Sequence, residues 1–145
     1  MKNQMKFVVL AMGVAFAAPA FANDASIVGA WSMTSLQFTD ANGKVAEVPY
    51  SGQVIFSEGG TLSVQAMDAN ANAAPTTYTV NGYEAYYGPV EIDEAQKTFA
   101  ITVESSLVRD LIGKRLVRKF EVTSNQLVIL PADPSEGWRV TYERR

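Results

Sequence analysis

Residues 83–104 hold two runs of alternating apolar and polar side chains, split by the polar stretch Asp93-Glu94-Ala95-Gln96-Lys97. Alternation with period two is the mark of a strand with one buried face, and two such runs around a polar turn predict a hairpin. In the second run Phe99, Ile101 and Val103 share one face, and Ala100, Thr102 and Glu104 share the other. The same pattern recurs along the chain, and no segment after residue 23 has helical spacing over ten residues. A chain patterned in this way buries its apolar face by pairing strand with strand, so the expected class is all-β.

In chain order the strand signals are residues 26–39, 51–56, 61–66, 83–92, 98–104, 114–122, 126–130 and 137–143, with a short extended stretch at 45–50 around Pro49. Turn chemistry separates them. Asn42-Gly43 tolerates positive φ, Ser57-Glu58-Gly59-Gly60 closes a tight reversal, and Thr123-Ser124-Asn125 does the same. Gly88-Pro89 interrupts the first arm of the central hairpin, and a bulge or break is expected there because Pro removes a ladder donor. Residues 67–77 are rich in Ala, Asn, Asp and Pro without lasting periodicity, and read either as a rim or lid or as a slack connection. Residues 76–84 could hold a short helical turn, and 105–113 are apolar enough to fold over an opening. Eight strands joined mostly by short turns predict an antiparallel up-and-down meander that closes into a barrel and so removes its sheet edges. Such a barrel is either filled by side chains or holds one small ligand.

The first 22 residues differ from the rest. Lys2 and Lys6 precede the apolar run 7–18, and Ala20-Phe21-Ala22 carries small residues where signal peptidase reads. This is the pattern of a secretory signal peptide cleaved after Ala22, which predicts a periplasmic or secreted domain of residues 23–145. The run is shorter than the ~20 residues a membrane helix needs. An outer-membrane barrel would need strands of ~9–11 residues with aromatic girdles, and most runs here are shorter.

Composition excludes several functions. The chain has 12 basic and 15 acidic residues; without Lys2 and Lys6 ten basic residues remain, for a net charge of −5, with no basic stripe for nucleic acid or anionic lipid. It has no His and no Cys, which removes imidazole and thiolate nucleophiles, the common zinc and haem ligands, a lipid anchor on Cys and any disulfide. No catalytic residue, metal ligand or cofactor is therefore designated, and a binding protein is favoured over an enzyme.

The motifs resemble the bacterial lipocalin-like domain family of the calycin group. Gly29-Ala30-Trp31 is similar to the Gly-x-Trp opening of lipocalin-type barrels. Residues 52–67 resemble the family's strand, Gly turn and strand, residues 83–104 its aromatic-Gly hairpin, and residues 113–120 its Gly-x-x-x-x-Arg-x-Phe strand. Tyr142-Glu143-Arg144 resembles its closing aromatic-Glu-Arg. The resemblance implies a closed or nearly closed eight-stranded lipocalin-like barrel, with Trp31 at its base. It departs where relatives carry His and this chain has Ile101 and Thr102, so histidine chemistry of relatives does not carry over.

The candidate binding residues follow from faces and chemistry. Arg118 shares its face with Leu116, Phe120 and Val122, so it points inward, where a guanidinium must be paired. Its partner is a carboxylate such as Glu104 or Glu84, or the carboxylate or carbonyl of a ligand. Tyr83, Tyr86 and Tyr87 form an aromatic cluster at the mouth or wall, Tyr86 facing inward with Val90 and Ile92, and Gln65 and Trp138 are further candidates. Glu104 is a candidate polar contact, and a general acid or base if buried. Trp31 and Arg144 are expected to stack at the barrel base, with Arg139 as the rival cation.

The leading expectation is an exported barrel that binds a small apolar or amphipathic molecule through Arg118 and the tyrosines. Two alternatives stand beside it: a cofactor-free cyclase or isomerase of the allene-oxide-cyclase or Diels–Alder type that shapes an apolar substrate, and a packed barrel acting as a protein-interaction module through its surface.

Overall fold

The structure, a computed structural model, describes residues 25–145. The expected signal peptide, residues 1–22, lies outside them. Ten strands form one sheet: β1 (Gly29–Thr39), β2 (Val45–Val48), β3 (Tyr50–Phe56), β4 (Thr61–Asp68), β5 (Tyr83–Asp93), β6 (Thr98–Thr102), β7 (Ser105–Ser106), β8 (Arg115–Val122), β9 (Gln126–Pro131) and β10 (Trp138–Arg144). The path β10-β9-β8-β6-β5-β4-β3-β1 is antiparallel throughout, and β10 returns to pair with β1. The chain is thus an all-β, closed, eight-stranded up-and-down barrel, as its alternation predicts. β2 extends beside the second half of β1, and β7 beside β5. Among the described residues helix is confined to two single 3₁₀ turns, at Arg109–Leu111 and Pro134–Glu136. Among the described residues no helix is long and apolar enough to cross a membrane.

Strand parity sets what faces inward. Leu62, Val64 and Ala66 of β4, Phe99 and Ile101 of β6, Leu127 and Ile129 of β9, and Val140 and Tyr142 of β10 are all buried. β1 switches parity midway: the register with β10 slips between Met33 and Ser35, leaving Thr34 as the extra residue, so Trp31 and Met33 point inward before the slip and Leu36 and Phe38 after it. The lower core is aromatic, with Phe56 set edge-on to Phe99 at 5.1 Å between ring centres and Phe99 at 6.3 Å from Phe120.

The expected break at Gly88-Pro89 falls instead on the neighbouring strand. β5 is continuous through both residues, while β6 stops at Thr102 and pairing with β5 resumes in β7, opposite Tyr86 and Tyr87. A Cβ on Gly88 would lie 2.0 Å from the Thr102 carbonyl oxygen, so the partner chain passes through the space a side chain would take. Pro89 is tolerated because its pairing opposite Thr61 on β4 continues around the missing donor.

Two connections also differ from expectation. Residues 76–84 hold no helix; an isolated bridge joins Val80 to Tyr83. Residues 105–113 contribute β7 and one 3₁₀ turn with Leu111 buried, but none of them lines the interior hollow described below, so they are not its cover.

Candidate functional site

One end of the barrel is closed by Trp31 and Arg144. Trp31 is fully buried, its indole Nε1 donates to the Ile27 carbonyl at 2.8 Å, and the Arg144 guanidinium sits 4.0 Å from the ring centre. Arg144 then donates to three carbonyls, Ser124 at 2.8 Å, Val28 at 3.0 Å and Ser26 at 2.6 Å. It therefore ties the β8–β9 turn to the segment preceding β1. Arg139, the rival cation, lies elsewhere, 3.7 Å from Glu121 in an exposed pair.

Toward the opposite end the barrel is hollow, with a cavity of about 460 Å³. That is within the ~300–1,000 Å³ of small-molecule sites. Its wall is chiefly aliphatic and aromatic, from Leu36, Val54, Leu62, Val64, Phe99, Ile101, Ile129 and Val140. Phe38, Trp138 and residues 76–79 line it as well. Of the segment 67–77, only Thr76 and Thr77 reach the cavity; Tyr78 and Thr79, just beyond it, do so as well. Thr79 is buried, its hydroxyl 2.8 Å from that of Thr76, which holds this loop in shape.

Polar side chains gather inside this apolar cup. Arg118 projects from β8 as its parity requires. Its Nη1 donates to the Val117 carbonyl at 2.9 Å and its Nη2 to the Tyr78 hydroxyl at 3.0 Å. The guanidinium carbon lies 5.1 Å from the Trp138 ring centre and 5.8 Å from that of Tyr78. Among the described residues the ion pairs within 4.0 Å are Lys97–Glu94, Arg115–Glu91 and Arg139–Glu121, all exposed. Arg118 thus has an aromatic and hydroxyl setting but no carboxylate in contact.

Glu84, on β5, lies in the same cavity. Burial pushes its carboxyl up to about 7, against the opposing influence of Arg118 and of the Tyr86 hydroxyl, both of which favour the charged form. Burial, with the Glu84 charge adding to it, also raises the Tyr86 and Tyr142 phenols above their ordinary value; Tyr50 is raised by burial, then by Asp68 and Glu84. Besides the exposed Glu136 at its edge, the cavity thus holds one guanidinium, one carboxyl of intermediate acidity and phenols raised above their ordinary value.

The candidate residues divide between the two faces of the wall. Arg118, Tyr86 and Trp138 line the cavity, and the Trp138 indole Nε1 donates to Glu136 at 3.0 Å. Tyr83, Tyr87, Gln65 and Glu104 do not. Tyr83 and Tyr87 have the parity opposite to Tyr86 and are exposed on the outer wall. Gln65 sits between inward-facing Val64 and Ala66, is itself exposed, and accepts from Gln53 Nε2 at 2.7 Å. Glu104 is exposed beyond the end of β6, where its amide donates to the Tyr87 carbonyl at 2.9 Å. These four candidate contacts therefore lie outside the hollow, on the side to which alternation turns them. Glu84 was visible in the sequence only as a partner for Arg118, and Tyr78, Tyr142 and Tyr50 were missed. Tyr142 and Tyr50 could have been found by extending the inward parity of β10 and β3; Tyr78 lies in a segment with no periodicity to read. Among the described residues no group of three or more His, Cys, Asp or Glu is placed to hold a metal ion.

A closed antiparallel barrel with a plugged base and an apolar hollow defines a calycin-type β-barrel. The chain belongs to the lipocalin-like domain family, whose model matches residues 28–142. No curated protein matches it significantly. Among solved structures it is similar to a DUF4847 family protein from Bacteroides vulgatus, with 11% identity over 81% of this chain and 92% of that one, at a TM-score of 0.45.

Proposed function

We propose that this protein binds one small apolar or amphipathic molecule inside the barrel. The observation that carries the reading is the hollow of about 460 Å³ whose apolar wall encloses Arg118, which has no carboxylate in contact among the described residues. The aliphatic wall favours transfer of an apolar body from water at ~25 cal/mol per Å² buried. Arg118, Tyr78, Tyr86 and Trp138 offer polar contacts that fix its orientation. The N-terminal 22 residues support export, which places the binding site in the periplasm or outside the cell; mature protein recovered from that compartment is expected to begin at Asn23.

The reading is tested with an environment-sensitive apolar dye, anilinonaphthalene sulfonate, titrated into folded protein and into Val64→Trp, which places an indole in the hollow. Bright saturable binding to the native protein that is lost in the folded variant supports an interior site. Equal binding to both locates the dye on the outer surface and contradicts it.

A second reading, a cofactor-free isomerase or cyclase, draws support from Glu84, a carboxyl of intermediate acidity within an apolar hollow beside neutral phenols. A bound unsaturated ligand that the native protein converts and Glu84→Gln does not would favour catalysis over carriage.

A further inference from the structure

We propose that the polar end of the cavity receives the carboxylate of an amphipathic monoacid, held by Arg118 and Tyr78, and that Glu84 takes up one proton from solvent as this ligand binds. The proposal rests on the interior-binding reading above and adds the chemistry of the head group and its coupling to pH.

Arg118 brings a permanent positive charge into an apolar cup, and an interior charge is stable only when compensated. Its Nη2 donates to the Tyr78 hydroxyl and its Nη1 to the Val117 carbonyl, both neutral acceptors, which leaves further guanidinium donors for a guest. The planar fork of a guanidinium matches a carboxylate, and an alcohol head would leave its charge uncompensated. A dianionic head would bring a second negative charge, and among the described residues lining the cavity Arg118 is the one cation. Tyr78 stands where it can turn its hydroxyl from Arg118 to the same carboxylate, since it belongs to the loop between β4 and β5 rather than to the barrel wall.

Glu84 decides the charge balance. With the ligand carboxylate and Arg118 in place, a protonated Glu84 leaves the cavity neutral, whereas an ionised one leaves it with one excess buried anion. Two carboxylates beside a single cation in a confined site share a proton for that reason. Burial already holds Glu84 up to about 7, and a second negative charge moves it further in the same direction. The other ionisable groups facing this space do not take over the role. Tyr86 on β5, Tyr142 on β10 and Tyr50 on β3 are phenols raised above their ordinary value and stay neutral. Asp68, at the end of β4, acts on Tyr50, and Glu136 at the rim accepts from the Trp138 indole. From β1, β6 and β9 the facing side chains are apolar, among them Met33, Phe99, Ile101 and Ile129.

The test is calorimetric titration with dodecanoate and, separately, dodecanol, in two buffers of different protonation enthalpy and across a pH series. The expected result is uptake of close to one proton per dodecanoate at about pH 8, with affinity falling about tenfold per pH unit above ~7, and no uptake with dodecanol. Glu84→Gln is expected to bind dodecanoate without proton uptake and without that pH dependence. Arg118→Met is expected to lose the preference for dodecanoate over dodecanol, and it keeps the test decisive if Glu84→Gln does not fold. Dodecanoate binding without proton uptake, uptake that persists in Glu84→Gln, or equal affinity for acid and alcohol overturns the proposal and leaves interior binding standing. Binding of neither molecule overturns both.

Discussion

The Arg144 guanidinium lies 4.0 Å from the centre of the Trp31 indole, and the same side chain donates to the carbonyls of Ser26, Val28 and Ser124. One residue at the end of the last strand therefore covers the aromatic plug of the first and ties in the β8–β9 turn. The contact closes one end of the barrel, away from the residues that line the hollow.

Arg144→Ala is expected to destabilise the fold by about 2–4 kcal/mol, because it removes a cation–π contact of ~0.5–2 kcal/mol and leaves three carbonyls without their donor. Arg144→Lys is expected to recover less than half of that loss, since an ammonium cannot stack flat and reach three carbonyls at once. Urea unfolding midpoints of the three proteins check this; equal stability of the alanine variant would contradict it.

Gly29 is bound to the same plug. Its φ is +135°, and a Cβ there would lie 2.8 Å from Nη1 of Arg144. Gly29→Ala is expected to cost about 1–3 kcal/mol through backbone strain and displacement of the guanidinium. In an Arg144→Ala background the cost is expected to shrink to the strain alone, measured as a double-mutant cycle by denaturation.

Gly88→Ala tests the crossing of β5 by its neighbour. The obstructing atom, the Thr102 carbonyl oxygen, is backbone and cannot swing away, so a loss of at least about 1–3 kcal/mol is expected. Faster amide exchange at Glu104 and Leu107, which donate to Tyr87 and Ala85, is expected to accompany it.

Glu84 makes stability depend on pH in a defined sense. Its carboxyl is raised from 4.5 to about 7 in the folded barrel, so the native state binds more protons than the unfolded chain between those values. The associated stability is fully present below about pH 4.5 and is lost as pH rises through about 7. The native protein is expected to lose on the order of 2 kcal/mol more than Glu84→Gln between about pH 5 and pH 8, after allowance for screening by water in the hollow. Parallel pH profiles of the two proteins would contradict this.

Most of the fold was legible because alternation is a strong signal when one face is buried. Residues 98–103 read as a strand with Phe99, Ile101 and Val103 inward, and all three are buried. Arg118 and Trp138 were legible in the same way, from parity with Phe120 and with Val140. Tyr83 and Tyr87, read at the mouth or wall, and Gln65 are turned outward by the same parity and do not line the hollow. The parity switch at Thr34 and the migration of the break from Pro89 to residues 103–104 were not legible, since both depend on how two strands coil against each other. Tyr78 was hidden for another reason: its position comes from a loop held by the Thr76–Thr79 contact and by Arg118 across 40 residues of chain.

The most direct measurement of the central claim is native mass spectrometry of the protein purified gently from its own cells, followed by extraction and identification of whatever travels with it. Interior binding predicts a stoichiometric small molecule with an apolar body, retained by the native protein and absent from folded Val64→Trp. Recovery of the same molecule with both proteins, or of none with either even after incubation with a total lipid extract of those cells, would contradict it.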